Sequence, residues 1–181
     1  MLALLLSIGA SPAWPADAVR TKRFALAGRG FLELRVPSAW IDIVRQPGAG
    51  ASATSPTIGF WPAQGRPFEI TLTPHWPSPA NARVPPEQYL REHVEGYALA
   101  IKDHAVEQKI GLVRLAGRSG PGFYLSATDK APGPGEYRFV TQGALKVGEL
   151  TLTFTILTNE GQSAVVAEAL DMVRRASYSA R

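Results

Sequence analysis

The chain has 181 residues, of which 45% are hydrophobic and 19% charged, with a formal net charge of +4. That length and composition suit one globular domain with its own core, and exclude a collagen, a coiled coil and a wholly disordered chain. There is no cysteine, which removes disulfides, thiolate metal sites, a thiol nucleophile and a lipidated cysteine together.

Residues 1–18 read MLALLLSIGASPAWPADA. The apolar run Leu2–Ala10 is far shorter than the roughly 20 residues a membrane-spanning helix needs. With small residues at Ala16 and Ala18 it predicts a signal peptide over 1–18 and a single domain over 19–181, periplasmic or secreted. No later segment is long and apolar enough to predict a transmembrane span. Basic residues such as Arg20, Lys22, Arg23 and Arg29, and later Arg174 and Arg175, are scattered and form no run, so no nucleic-acid partner is expected. The positive balance leaves peripheral contact with an anionic membrane surface open.

Phe24–Ala27 and Phe31–Val36 predict strands joined by a turn at Gly28-Arg29-Gly30, with Leu32, Leu34 and Val36 facing the core. Pro37-Ser38-Ala39-Trp40 breaks the second strand. Ile41–Val44 reads as a short apolar segment with Asp42 facing outward, and Gln46–Pro56 as an exposed loop. Thr57–Trp61 and Phe68–Thr73 read as strands. Five prolines in Pro74–Pro86 demand a stiff crossing loop, because each lacks an N–H and fixes φ.

The spacing of Leu90, Val94, Tyr97, Ile101 and Ala105 predicts an amphipathic helix over Glu87–Val106. A Glu87–Arg91 pair supports it, and Gly96 is excused by a close crossing over a sheet. Ile110–Leu115, Gly122–Thr128, Tyr137–Gln142 and Glu149–Leu157 read as strands, with a hairpin turn at Lys146–Glu149. In the last strand Leu150, Leu152, Phe154 and Ile156 face one way and Thr151, Thr153 and Thr155 the other. With Thr71 and Thr73 these threonines make a hydroxyl-rich face that suits either solvent or a second packing layer. Asn159 and Gln162 predict a capping box ahead of a final helix whose buried stripe is Val166, Ala169, Leu170 and Val173.

Runs of strands broken by single helices define an α+β fold: an antiparallel sheet with a long central helix and a C-terminal helix packed on it. The element Leu34-Arg35-Val36-Pro37-Ser38-Ala39-Trp40, the helix at 87–106, the strands from 110 to 157 and the helix at 162–175 together resemble the Mog1/PsbP/DcrB-type fold. The resemblance covers most of the domain and implies a binding or accessory protein of the sandwich type. It transfers no functional residues. A local stretch, Ser126–Tyr137, is similar to one in exported bacterial proteins and implies kinship without an activity.

Chemistry-bearing motifs are sparse. His93 and His104 are eleven residues apart, about 16 Å along a helix, too far to share an ion, and His75 has no ligand-spaced companion, so no metal site is expected. There is no Gly-x-Ser-x-Gly elbow and no phosphate-binding glycine loop, and no cofactor is expected. Aromatic residues beside charges near loop tips suit binding, which makes Trp61, His75, Trp76, Tyr124, Asp129, Lys130 and Tyr137 the candidate binding residues. Asp129 equally suits a turn-stabilising role. The expectation is a non-catalytic exported binding or accessory protein whose partner is a protein or a small apolar ligand. The alternative is a periplasmic hydrolase with a dispersed site near His75 and Asp129.

Overall fold

A computed structural model describes residues 18–46, 55–78 and 86–180. The signal peptide expected over 1–18, apart from its last residue, most of the loop expected at 46–56, and residues 79–85 of the loop expected at 74–86 lie outside these residues; Pro74 and His75 of that last loop belong instead to a strand.

The chain opens with a hairpin, β1 (Val19–Ala25) and β2 (Phe31–Pro37), paired Phe24↔Leu32 and Lys22↔Leu34. The turn requires left-handed backbone at Gly28 and Gly30, with φ of 73° and 102°. At Pro37 the chain leaves this small sheet and enters a larger one. Its strands are β3 (Trp40–Arg45), β4 (Thr57–Pro62), β5 (Glu69–His75), β6 (Val113–Gly117), β7 (Gly120–Thr128), β8 (Phe139–Val147) and β9 (Leu150–Thr158). They pair antiparallel in the order β3-β4-β5-β9-β8-β7-β6. Between β5 and β6 lies helix α1 (Pro86–Ile101), with its proline in the first turn, where no intrahelical donor is needed. After β9 come α2 (Ser163–Arg174) and the short β10 (Ser177–Ser179), which pairs with β2.

Strand alternation divides the larger sheet into two faces. One face presents Ile58, Phe60, Ile70, Leu72, Leu145, Leu152, Phe154 and Ile156 to a core shared with Leu32, Leu34 and Val36 of the small sheet and Ala169, Met172 and Val173 of α2. Each such aliphatic side chain contributes roughly 1.5–3 kcal/mol on burial. On the opposite face, Phe123, Leu125 and Ala144 meet Leu90 and Val94 of α1. The predicted α+β architecture, with both helices packed on an antiparallel sheet, is the observed one.

Several local expectations need correction. Asp42 does not face outward. It lies on the inner face of β3, half-buried, and pairs with Lys22 of β1 and with Arg20 at 3.9 Å, closing the sandwich edge, while Ile41 and Ile43 are about half exposed. The helix ends at Ile101 rather than Val106, because β7 captures the residues beyond it. Val106 N donates to Thr128 O at 2.8 Å, Lys130 N donates to His104 O at 2.9 Å, and Ala105 bridges Asp129. Glu87 pairs with Arg114 at 3.3 Å instead of Arg91, whose guanidinium lies over the Phe123 ring. Of the predicted capping box only one half forms: Gln162 Oε1 accepts from Asn159 N at 2.7 Å, but Asn159 does not cap α2. Its side chain accepts from Arg138 N at 3.1 Å, and the helix begins after Gln162. Gly96 has open space where a side chain would project, so no close crossing explains it.

Candidate functional site

The threonine face of β9 and β5 answers the choice the sequence left open. Thr151 and Thr153 are buried, and Thr71, Thr73 and Thr155 are half-buried beside them. Register places Thr73 opposite Thr153 and His75 opposite Thr151. On α1, one turn of spacing puts Tyr89, His93 and Tyr97 in a row, with ring centroids 6.0 Å apart for the first pair and 4.9 Å for the second. Helix row and strand face form one polar cluster.

His93 Nε2 and the Tyr97 hydroxyl are 2.8 Å apart, and His75 Nε2 lies 3.1 Å from Thr153 Oγ1. Thr153 Oγ1 donates to the Thr73 carbonyl at 3.2 Å, and the Tyr97 hydroxyl also interacts with it. The Thr73 carbonyl can only accept, so it competes with His75 Nε2 for the single proton of Thr153; when the carbonyl holds it, the imidazole Nε2 is the donor. Burial pushes the His75 pKa below its ordinary value, and the nearby His93 adds to this; burial alone lowers His93. Burial raises the Tyr97 phenol, outweighing the opposing effect of Thr153. At neutral pH the cluster is an uncharged set of oriented donors and acceptors.

The seven candidate binding residues do not converge. Trp61 shares this face with His75, with its indole laid over Gly59 and the Arg45 guanidinium above its ring. Trp76, the next residue along from His75, points the other way, packs against the main core and carries the Arg29 guanidinium at 4.7 Å. Tyr124 is half-buried against the same core. Asp129 Oδ1 accepts from Ala131 N at 2.9 Å, a turn-forming bond, and Lys130 Nζ donates to Asp103 O at 3.2 Å. Tyr137 is half-buried, its pKa raised by burial and by Glu69. His75 lies in register with Thr151 and Lys146 at one end of β8, whereas Asp129 bonds Arg138 just before its other end. Nearly the whole of β8 separates them, roughly 25 Å at about 3.3 Å per residue, so one site does not hold both.

Sequence reasoning missed His93, Tyr97 and Thr153. The i, i+4 spacing of Tyr89, His93 and Tyr97 was the available signal, but nothing local announces that Thr153 lies beneath them. Among the described residues, no three His, Asp or Glu side chains are grouped to hold a metal ion, and no helix is long and apolar enough to cross a membrane.

No family model and no curated protein sequence matches the chain. Among solved structures, the solution structure of cyanobacterial PsbP (CyanoP) from Synechocystis sp. PCC 6803 superposes with a TM-score of 0.56 at 13% identity, covering 95% of this chain and 99% of that one. LpqN, described as involved in cell envelope biogenesis of Mycobacterium tuberculosis, gives a TM-score of 0.48 at 10% identity, covering 93% and 99%. The fold is PsbP-like, as the order of elements implied.

Proposed function

We propose that the chain is a non-catalytic binding or accessory protein of the bacterial cell envelope, and that the His75–His93–Tyr97–Thr153 face is its polar recognition surface. The Thr73 carbonyl beside Thr153 carries the reading. A hydroxyl nucleophile must give its proton to a base, and this carbonyl, 3.2 Å from Thr153 Oγ1, competes for that proton with His75 Nε2 at 3.1 Å. Two neutral imidazoles and a protonated phenol are suited to holding a partner's polar groups beside the apolar surface of Trp61 and Ile43. The leader-like sequence at 1–18 and the fold shared with CyanoP support the envelope assignment.

The purified protein is tested against ester, peptide and phosphoester substrates alongside His75→Ala and Thr153→Ala. No turnover that depends on either residue is expected. Turnover abolished by His75→Ala overturns the non-catalytic reading. Fractionation of cells expressing the full chain with a C-terminal tag checks location, and recovery with the cytoplasm overturns the envelope assignment.

A further inference from the structure

A groove of about 440 Å³ opens on the small-sheet side of the molecule, lined by Thr21, Glu33, Arg35, Arg118, Arg174 and Arg175 among others. An adjoining hollow of about 360 Å³ shares Arg35 and Arg175 with it. Local folding explains why four guanidinium groups meet there. β10 pairs only with Phe31–Glu33, so the Leu34–Pro37 half of that edge of β2 has no strand partner. α2 ends beside it, which delivers Arg174 and Arg175. The Arg174 carbonyl accepts from Arg118 N at 2.8 Å and so pins the β6–β7 turn, with Arg118, against the helix end.

Charge in the groove is unbalanced. Asp171 holds Arg174 at 2.5 Å and Arg175 at 2.7 Å. Arg35 and Arg118 are exposed and make no ion pair among the described residues. Glu33 is the one carboxylate in the lining of the larger groove, against four arginines of which Asp171 holds two, and Glu168 lines the adjoining hollow. Three of the last four helix carbonyls already have donors, Arg118 N, Arg175 N and Ala176 N satisfying those of Arg174, Asp171 and Val173. Converging like charges repel, and an oxyanion with several oxygens relieves that repulsion. The planar guanidinium fork matches such an anion two oxygens at a time, and since Asp171 already serves Arg174 and Arg175, the forks of Arg35 and Arg118 are left to meet it.

We propose that this groove binds a phosphate-bearing anion, with Arg35 and Arg118 as the free forks and Arg174 and Arg175, oriented by Asp171, as the wall. The proposal is independent of the sheet-face reading above. Two sources supply this chemistry: a soluble phosphorylated compound and a phospholipid headgroup.

Inorganic pyrophosphate is titrated calorimetrically into the full chain at low ionic strength, and into Arg35→Ala/Arg118→Ala and Lys102→Ala/Lys109→Ala. The lysine pair removes equal charge from exposed positions away from the groove. The arginine variant is expected to bind about tenfold or more weakly, and the lysine variant within about twofold of the parent. Arg35→Lys/Arg118→Lys, which keeps the charge and loses the fork, is expected to fall between them and serves if the alanine pair folds poorly. In parallel, the same proteins are sedimented with phosphatidylcholine vesicles with and without phosphatidylglycerol. Arginine-dependent sedimentation with phosphatidylglycerol identifies a headgroup, and arginine-dependent pyrophosphate binding alone identifies a soluble ligand. Absence of both, or equal weakening in the arginine and lysine variants, overturns the proposal.

Discussion

His93 Nε2 lies 2.8 Å from the Tyr97 hydroxyl one turn further along α1, and a proton taken up by His93 would be felt by His75 on the sheet below. Because burial lowers both histidine pKa values, the unfolded chain takes up protons first as the pH falls. The stability these groups contribute is therefore complete above about pH 6.5 and is lost progressively below it, down to the lowered folded values. Thermal unfolding between about pH 7.5 and 5.5 checks this. The parent is expected to lose melting temperature across that range more steeply than His75→Gln/His93→Gln; equal slopes would sink the assignment.

Gly96 sits inside α1 with open space around its missing side chain. Replacing it with alanine meets no neighbour and removes backbone freedom from the unfolded chain. Gly96→Ala is expected to stabilise the protein by about 1 kcal/mol, read from urea unfolding.

Two sheet glycines make a sharper contrast. A side chain at Gly143 would run into the Phe154 ring, the Phe123 carbonyl at 2.5 Å and Tyr124 Cβ at 2.7 Å, with backbone among the obstacles. At Gly59 the three nearest obstacles are all atoms of the Trp61 indole, which is half-buried at the sheet rim. Gly143→Ala is expected to cost about 3 kcal/mol or prevent folding. Gly59→Ala is expected to cost about 1 kcal/mol as the indole swings aside, with a change in Trp fluorescence at little loss of stability.

Gln162 is a buried polar knot. Its Oε1 accepts from Asn159 N at 2.7 Å and its Nε2 donates to the Arg66 and Pro67 carbonyls at 3.2 and 3.1 Å. Gln162→Ala leaves these groups without partners and is expected to cost about 2 kcal/mol, measured by chemical denaturation. A loss below about 0.5 kcal/mol would mean that water replaces the amide.

Legibility in the sequence divides along a physical line. Strand faces such as Leu150–Ile156 and Phe68–Leu72 were legible because a two-residue period survives whatever packs upon it. The Gly148 turn was legible because the hairpin demands a positive φ there, 58°. The end of α1 was not, since Ala105 continues the helical stripe and only the competing bonds from Thr128 and Lys130 peel it away. Asp42 was misread for the same kind of reason: its direction depends on Lys22 of a different sheet. The polar cluster was half legible, its helical row present as spacing and its threonine floor invisible until β5 and β9 were paired.

The pairing of β10 with β2 sets a timetable. Ser177 and Glu33 come from opposite ends of the described chain, so the three-stranded layer stays incomplete until residues past 176 have been synthesised. Contacts of such long sequence separation carry the heaviest loop-closure entropy and form slowly. A chain truncated before Ser177 would hold β1 and β2 as an unfinished hairpin beside a bare α2 terminus, open to proteases that the finished molecule no longer admits.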